Sequence, residues 1–348
     1  MQSAYRQYHS TETALLHIQN DLLLALDRKQ CVAMVMIDLS AAFDTVNHDI
    51  LLHRLSERYG IKGNVHKWLQ SYLTGRKQFV TIKGERSSEI SKHCDVPQGS
   101  VLGPNLYEDY SAAPVGDILR KHELLFHIYA DDTQIYLPFA PGNETEALDR
   151  LERCLAEVRQ WVATNWLQLN DSKTEFIIFG SKQNLSSLKR NSLTIGECEI
   201  PATKDAVRSI GAYLDCNMKM EKQLTSVSKS CWYHLYQISK IRRYLTTEQA
   251  KSVIHAYVTS RLDQNNSLLL GLPKKSLRCL QCIQNACAKL IVGGKKHDHV
   301  TPILISLHWL PVEQRIIFKV LLLAFKALNE KGPTYLKDRK STRLNSSH

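Results

Sequence analysis

Three aspartates stand where apolar stretches of the sequence end, and their grouping predicts a cation site. Asp38 follows the run at 31–37, and Asp131 with Asp132 follows the run at 124–128. Because neighbouring strands of one sheet end side by side, we expect the three carboxylates to converge. Crowded carboxylates repel one another, and hard cations such as Mg²⁺, which prefer oxygen ligands and pair with substrate phosphates, relieve that repulsion. Two such ions can activate a hydroxyl nucleophile and stabilise leaving pyrophosphate, so the chemistry indicated is phosphoryl transfer.

The segments around these aspartates predict a sheet and the helices that cover it. The continuous apolar run at 31–37 is typical of a strand buried on both faces. Residues 124–128 and the alternating residues 133–137 predict two strands joined by a tight acidic turn. Leucines and valines at steps of three and four over 148–162 predict an amphipathic helix. The interleaved pattern favours an α+β fold, an antiparallel sheet with helices on one face.

The composition changes after about residue 215, where helical stripes predominate. Thr246 and Gln249 have the spacing of a capping box. The polar faces of these helices carry residues of one sign, namely Lys229, Lys240, Arg242, Arg243, Lys251, Lys274, Lys275, Arg278 and Lys289. Two interpretations stay open for them, solvated surface and contact with phosphates. A net charge of +11 and a pI of about 9.1 favour a polyanionic partner.

Composition also excludes several classes of protein. An apolar content of 43% is sufficient for a packed core. The chain lacks a run of about 18 apolar residues and a secretory signal pattern, so we expect neither a membrane partner nor secretion. Nine scattered cysteines are typical of reduced thiols in an intracellular compartment.

A zinc-binding interaction module is one hypothesis for the cysteines. Cys279 and Cys282 have CxxC spacing, and Cys287, His297 and His299 follow them. The helical stripe through residues 277–290 favours the other interpretation, in which the cysteines are ordinary helix residues.

Five motifs in order give the chain a resemblance to a known family. Residues 37–44 (IDLSAAFD), 96–104 (VPQGSVLGP) and 129–132 (YADD) resemble motifs A, B and C of reverse transcriptases from non-LTR, LINE-type retrotransposons. Residues 169–175 (LNDSKTE) and 210–215 (IGAYLD) resemble motifs D and E. The resemblance extends over residues 2–337 and is nearest to the Jockey and chicken-repeat groups.

This resemblance implies a right-hand polymerase architecture and an RNA-directed DNA polymerase activity. Residues 1–215 would form incomplete fingers and the palm, and residues 216–337 a helical thumb and C-terminal region. The implied partners are an RNA template, a DNA primer and deoxynucleoside triphosphates, in a nuclear or cytoplasmic ribonucleoprotein. A DNA-templated polymerase and a viral RNA-templated RNA polymerase use the same two-metal mechanism, but the residues that make up the motifs argue against both.

The resemblance also assigns catalytic roles. Asp38, Asp131 and Asp132 would hold two Mg²⁺ ions, with Mn²⁺ as a substitute and the Leu39 carbonyl assisting. Lys173 would lie near the triphosphate and protonate the leaving pyrophosphate.

Further residues would bind the nucleotide and the primer. Phe43 would lie beneath the sugar and exclude a 2′-hydroxyl, while Gln98 and Gly99 would contact the incoming nucleotide and its template partner. Arg6 would reach the triphosphate or the template from the fingers. The primer grip would consist of Gly211, Ala212, Tyr213 and Leu214.

Some features depart from the family pattern. Asn105, Glu108 and Asp109 fall where apolar or small residues are expected, so either this helix is more exposed here or the copy has decayed. We expect further fingers and an endonuclease upstream of residue 1. Residues 338–348 resemble a translated sequencing adapter and are excluded from fold reasoning. The second functional hypothesis is therefore a truncated, inactive remnant that at most binds RNA.

Overall fold

The computed structural model describes residues 2–40, 43–196, 198–295 and 297–337. The chain divides into two compact units. The first unit contains Ala25–Thr203 together with the first seven residues, and the second contains Tyr8–Leu24 together with the chain from Lys204 onward. The predicted tail at 338–348 lies outside the described residues.

Helices and strands alternate along the first two thirds of the chain, and helices predominate afterwards. The helices are α1 (Thr11–Asp27), α2 (His48–Tyr59), α3 (Gly63–Leu73), α4 (Gly103–Tyr107), α5 (Ala113–Lys121), α6 (Glu144–Thr164), α7 (Lys182–Ser187), α8 (Glu221–Ile241), α9 (Thr247–Ile254), α10 (Ser260–Asp263), α11 (Lys274–Val292), α12 (Val300–Ser306) and α13 (Val312–Leu328). The strands are β1 (Cys31–Ile37), β2 (Leu39–Ser40), β3 (Lys77–Gln78), β4 (Thr81–Ile82), β5 (Glu85–Arg86), β6 (Ile90–Ser91), β7 (Leu125–Tyr129), β8 (Asp132–Phe139), β9 (Gln168–Leu169), β10 (Glu175–Phe179), β11 (Ser192–Ile195), β12 (Cys198–Pro201), β13 (Ala206–Ser209) and β14 (Ala212–Asp215).

A four-stranded antiparallel sheet in the order β10-β1-β8-β7 forms the centre of the first unit. All seven residues of β1 are buried, which explains why the run at 31–37 shows no polar alternation. The strand β8 returns directly from β7 through a two-residue turn, as the alternating pattern predicts. The predicted α+β class is therefore confirmed.

Helix α6 supplies the long apolar stripe expected from the sequence. Leu148, Leu151, Leu155 and Val158 are fully buried or nearly so, and they belong to the same core cluster as the alternate residues of β1. This packing covers one face of the sheet and removes apolar surface from water, which is the main favourable term in folding.

The second unit is mostly helical, as predicted. Helix α8 buries Leu224, Cys231, Leu235 and Ile238 along one face and packs against α11. The capping box at the start of α9 is confirmed, since the Thr246 side chain accepts from the Gln249 backbone and the Gln249 side chain accepts from Thr246. Across the described residues, each helix falls short of the length or the apolar character that crossing a bilayer requires. The division into fingers with palm, thumb and tail stays a prediction.

A buried ionic network precedes the motif at 96–104. Asp95 is 5% exposed and forms ion pairs with Arg76 and with Lys92, whose Nζ lies 2.5 Å from Oδ2. The Asp95 backbone carbonyl also contacts His48 Nε2 at 2.9 Å. Burial, with help from the Arg76 charge, lowers the pKa of His48. Asp95 therefore links His48 at the start of α2, Arg76 after α3 and Lys92 in the segment that leads into the motif.

Replacing Asp95 with alanine is expected to destabilise the protein by about 3 kcal/mol, because two partly buried cations lose their counter-charge. Chemical denaturation at pH 7 measures this change. The control is Asp149→Ala, which removes an exposed carboxylate paired with Arg190 and should cost about 1 kcal/mol or less. Equal losses in the two variants would show that the Asp95 network adds nothing to stability.

Candidate active site

Strand register brings the three aspartates to one end of the central sheet. In the β1–β8 pair Ile37 lies opposite Thr133, so Asp38 leaves β1 where Asp132 begins β8. In the β7–β8 hairpin Tyr129 lies opposite Asp132, which puts Asp131 in the turn. The structure thus brings together residues that are far apart in the sequence.

The electrostatics of the cluster show that the carboxylates interact. The pKa of Asp132 is raised to about 6, first by desolvation and then by the charges of Asp131 and Asp38. Although Asp132 is exposed as a whole residue, the surrounding protein and two like charges make its ionised form costly. Lys173 acts in the opposite direction and lowers the pKa of Asp132.

Lys173 supplies a positive charge directly to the cluster. Its Nζ donates to Asp38 Oδ2 at 2.9 Å, and this hydrogen bond raises the pKa of Lys173. The backbone makes a second link, because Asn170 N donates to the Asp38 carbonyl at 2.9 Å. The turn that carries Lys173 is fixed to α6 by Arg159, which donates to both carboxylate oxygens of Asp171. Sequence reasoning missed this last pair.

The turn between β7 and β8 is held in an unfavourable backbone conformation. Ala130 has φ of 58°, a value that L residues other than asparagine and aspartate adopt rarely. The side-chain oxygen of Gln2 accepts from Ala130 N at 3.3 Å, and Gln2 itself bridges to Ile128. Contacts of this kind maintain a strained turn, and strained turns are common at functional sites. No sequence pattern singles out Gln2, because its partner is distant along the chain.

Phe43 lies against a buried tyrosine. Its ring stacks on Tyr107 with 4.7 Å between ring centroids and 20° between the planes. Tyr107 is only 1% exposed, and burial raises its pKa, with a further contribution from the Asp131 and Asp38 charges. Tyr107 therefore connects the Phe43 ring to the acidic cluster. Ala41 and Ala42 of the same motif lie outside the described residues.

Backbone hydrogen bonds join the segment after Asp38 to the motif at 96–104. Val96 N donates to the Phe43 carbonyl at 2.9 Å, and Asp95 N donates to the Val46 carbonyl at 2.9 Å. These bonds bring the loop that carries Gln98 and Gly99 beside Phe43.

The loop itself is shaped by a glycine and a serine that sequence reasoning left without a role. Ser100 Oγ donates to the Pro97 carbonyl at 2.7 Å and accepts from Gly103 N at 2.9 Å. A Cβ on Gly103 would lie 2.7 Å from the Pro97 carbonyl oxygen, so a larger residue cannot be accommodated there. Gln98 and Gly99 remain exposed, and Gly99 has φ of 77°. The spacing of Ser100 and Gly103 was the available signal.

The unexpected polar residues after this loop are accommodated. Asn105 is exposed, and Glu108 forms an ion pair with Arg6 at 2.5 Å. Asp109 hydrogen-bonds with Tyr59, although burial still raises the pKa of Asp109. Glu108 and Asp109 are half-buried, so the helix is not simply more exposed, and each of the two carboxylates has a polar partner. Arg6 therefore already has an acidic partner, Glu108.

The residues at 211–214 belong to the second unit and form part of the β13–β14 hairpin. Ile210 and Gly211 make its two-residue turn, with φ of 45° and 82°. Both values are positive, as in a type I′ turn, and a β-branched residue is strained there. Ala212 and Leu214 are buried, while the Tyr213 backbone donates to Gln223.

The carboxylate cluster suits a hard cation by its chemistry, although its side chains are not arranged as a ligand cage. Burial and the charges of Asp131 and Asp38 disfavour the ionised form of Asp132, and Lys173 already provides one positive charge to Asp38. Among the described residues, no group of three or more His, Cys, Asp or Glu side chains has the geometry to hold a metal ion. The same finding leaves the zinc hypothesis without support, and Cys279 and Cys282 lie on α11 as the stripe predicts.

The sequence identifies the family to which this site belongs. Residues 1–214 match the family described as reverse transcriptase (RNA-dependent DNA polymerase). The chain belongs to this reverse transcriptase family. The order of the motifs around Asp38, Gln98 and Asp131 is therefore explained by common descent.

Similar proteins come from transposons of Drosophila. The chain is 26% identical over 326 residues to the probable RNA-directed DNA polymerase from transposon BS of Drosophila melanogaster, covering 90% of this chain and 35% of that protein. It is 29% identical over 236 residues to the RNA-directed DNA polymerase from mobile element jockey of Drosophila funebris, covering 66% of this chain and 24% of that protein. The resemblance to LINE-type reverse transcriptases is thus confirmed, and the chain spans well under half the length of each relative.

Solved telomerase structures share a distant likeness with this chain. Apo telomerase from Candida tropicalis has a TM-score of 0.42 at 12% identity, covering 96% of this chain and 57% of that chain. Telomerase from Candida tropicalis in complex with the TWJ fragment of telomeric RNA has a TM-score of 0.46 at 13% identity, covering 92% and 53%.

Asp132→Asn is expected to stabilise the metal-free chain at alkaline pH, because it removes one of three mutually repelling charges. The pKa of Asp132 in the native state, about 6, lies above its ordinary value, so the native state binds the proton more tightly than the unfolded state. This contribution to stability is present below about pH 4 and is lost as the pH rises through about 6.

Thermal unfolding in EDTA at about pH 4 and about pH 8 measures this effect, and the gain in Tm should appear only at the higher pH. Glu199→Gln, at an exposed carboxylate on β12, is the control and should change Tm little at either pH. A gain of equal size for Asp132→Asn at both pH values would contradict the repulsion.

Proposed function

We propose that this chain performs RNA-directed DNA synthesis, transferring a nucleotide to a DNA 3′-hydroxyl on an RNA template. The observation that supports this most directly is the convergence of Asp38, Asp131 and Asp132, with the pKa of Asp132 raised by burial and by the charges of the other two. Phosphoryl transfer needs mainly positioning and charge stabilisation, which such a cluster can supply with metal ions. The proposed substrates are deoxynucleoside triphosphates and a DNA primer, in an intracellular ribonucleoprotein.

The three aspartates would hold two Mg²⁺ ions, with Mn²⁺ as a substitute, and the Leu39 carbonyl would assist. When bound, such ions activate the attacking hydroxyl and stabilise the leaving pyrophosphate. The β1–β8 register keeps Asp38 and Asp132 on adjacent strand ends, and their side chains would turn toward the ions when these bind. Asn170 and Arg159 hold the turn beside Asp38 and limit its movement.

Lys173 would donate a proton to the pyrophosphate. Its ammonium group carries the proton at neutral pH, and its exposed side chain can move from Asp38 to a triphosphate. Arg6 would bind the triphosphate or the template after exchanging Glu108 for a phosphate. Gln98 and Gly99 would contact the nucleotide and its template partner, since both are exposed beside Phe43.

In the second unit, the hairpin residues Gly211, Ala212, Tyr213 and Leu214 would steady the primer end. The buried Ala212 and Leu214 side chains anchor the strand, and this leaves the turn as its accessible part. The basic helices that follow would hold the template–primer duplex through its phosphates. The family match favours a polymerase over the inactive-remnant hypothesis, and the partners of Glu108 and Asp109 weaken one of the two grounds for that alternative.

Asp131→Asn is expected to reduce primer extension on an RNA template by about a hundredfold or more, because metal-bound charge stabilisation is worth several kcal/mol. Extension of a labelled DNA primer with Mg²⁺ and deoxynucleotides measures the rate. Asp149→Asn, an exposed carboxylate of the same unit, should retain the wild-type rate. Product formed at similar rates by both variants, or by neither variant nor the wild type, would overturn the proposal.

Tyr107→Ala is expected to reduce discrimination between deoxynucleotides and ribonucleotides by about tenfold, since Phe43 loses the ring that holds it. Tyr107→Phe keeps the stack and should keep the selectivity. The ratio of kcat/KM for the two sugars measures the effect, whereas a general loss of folding would lower both rates together. An unchanged ratio in Tyr107→Ala would remove Tyr107 from sugar selection.

A further inference from the structure

A small cavity of the first unit lies against the acidic turn between β7 and β8. Its volume is about 10 Å³, which is room for about one water molecule. Apolar side chains from β1, α5 and α6 form most of its wall. Four polar side chains complete the lining, those of Tyr107, Ser111, Asp131 and Thr133. The cavity therefore has both the size and the polar groups that a single buried water requires.

The hydroxyl of Tyr107 is the polar group in this cavity that most needs a partner. Tyr107 is 1% exposed, and its Oη makes no hydrogen bond of ordinary geometry with any described residue. A buried hydroxyl in this position has given up its hydrogen bonds to water without replacing them, which costs folding free energy. A further hydrogen-bond partner inside the cavity would remove that cost.

The same hydroxyl lies within electrostatic reach of the acidic cluster. Burial makes the largest contribution to the raised pKa of Tyr107, the neighbouring Ser111 hydroxyl lowers that pKa, and the charges of Asp131 and Asp38 raise it further. The phenol therefore keeps its proton at neutral pH and can donate toward a carboxylate. Asp131 lines the cavity but is itself only half-buried, so it belongs both to the cavity and to the surface.

Packing fixes the direction in which the Tyr107 hydroxyl points. The ring stacks on Phe43 and lies at the end of α4. The start of that helix is tied to the preceding loop, because Gly103 N donates to Ser100 Oγ at 2.9 Å. The orientation of the hydroxyl is therefore set by the fold and not by its contact with Asp131.

We propose that Tyr107 is a positioning residue, whose hydroxyl holds the Asp131 carboxylate through one water in this cavity. The water accepts from Tyr107 Oη and donates to a carboxylate oxygen of Asp131, while Ser111 and Thr133 complete its hydrogen bonds. This link limits rotation of the Asp131 side chain and leaves its other lone pairs for a cation. The proposal rests on the proposed function, which assigns a metal ion to Asp131.

The link complements the restraint on the backbone of the same turn. The Gln2 side-chain oxygen accepts from Ala130 N at 3.3 Å and so restrains the main chain beside Asp131. Tyr107 acts on the side chain instead. Groups that orient a metal ligand without touching the metal commonly change metal affinity by about ten- to a hundredfold.

Binding of Mn²⁺ to the full chain, followed by the electron paramagnetic resonance signal of the free ion, tests this proposal without requiring catalysis. Tyr107→Phe removes one oxygen atom and keeps the stack on Phe43. We expect its Kd for Mn²⁺ to rise by about tenfold. Its unfolding midpoint in EDTA should stay close to the wild-type value, because no protein group loses a direct hydrogen bond.

Tyr110→Phe is the matched control, since Tyr110 is also fully buried and lies three residues further along the chain. Its hydroxyl donates to the Asn165 carbonyl at 2.5 Å and accepts from Asn47 N at 3.4 Å. This variant should lower the unfolding midpoint by about 2 °C or more and leave the Kd for Mn²⁺ unchanged. Equal losses of Mn²⁺ affinity in the two variants, or wild-type affinity in Tyr107→Phe, would overturn the proposal.

A double variant tests whether the hydroxyl acts through Asp131. Asp131→Ala should weaken Mn²⁺ binding more than Tyr107→Phe does, and adding Tyr107→Phe to Asp131→Ala should weaken it no further, because the link has already lost its end. A further tenfold loss in the double variant would contradict this route.

The same measurements separate this inference from the polymerase activity. Equal Mn²⁺ binding by the wild type and Asp131→Ala would contradict both proposals. A chain that extends primers and whose Mn²⁺ affinity is unchanged by Tyr107→Phe contradicts the role of Tyr107 alone. A chain that extends no primer but binds Mn²⁺ more weakly in Tyr107→Phe contradicts only the proposed function.

Discussion

Mutual repulsion among three carboxylates is the constraint on which the first unit depends. Asp38, Asp131 and Asp132 lie at one end of the central sheet, and burial together with the charges of Asp131 and Asp38 raises the pKa of Asp132. Like charges at neighbouring strand ends stay together only when the backbone that carries them is held firmly. The fully buried strand β1 and the hairpin of β7 and β8 provide that rigidity. A change of register would displace the buried apolar side chains of these strands from their packing.

The elements around the cluster all limit its freedom. Lys173 places an ammonium group on Asp38, and Arg159 fixes the turn from which Lys173 extends. Gln2 holds the strained turn at Ala130 from another segment of the chain. These contacts fix the backbone segments that carry the three carboxylates, while the carboxylate side chains themselves are not arranged as a ligand cage.

The first unit has a cluster of negative charge and the second has a cluster of positive charge, and both are consistent with the proposed transfer of nucleotides. The first unit gathers acidic groups that suit cations. The second unit contains a cleft that Arg208 and Arg261 line, with no aspartate or glutamate among its described lining residues. A strained turn accompanies each, at Ala130 in the first unit and at Ile210 in the second.

Much of the fold and of the candidate site followed from local patterns. The buried strand at 31–37, the α6 stripe, the capping box at Thr246 and the acidic turn at 131–132 each depend on residues close together in sequence. Periodicity reports burial directly, so such elements can be predicted without knowledge of their neighbours. The motif order likewise identified the family from sequence alone.

Only the tertiary structure decided which side chains meet across the chain. Several contacts join segments that no local pattern connects. Phe43 stacks on Tyr107, Arg6 pairs with Glu108, and Arg208 and Arg261 line one cleft of the second unit. The sequence by itself determined that acidic residues end two strands and that helices follow. Register and packing determined that these acids converge, because contacts between distant segments depend on the whole fold and not on any one stretch of it.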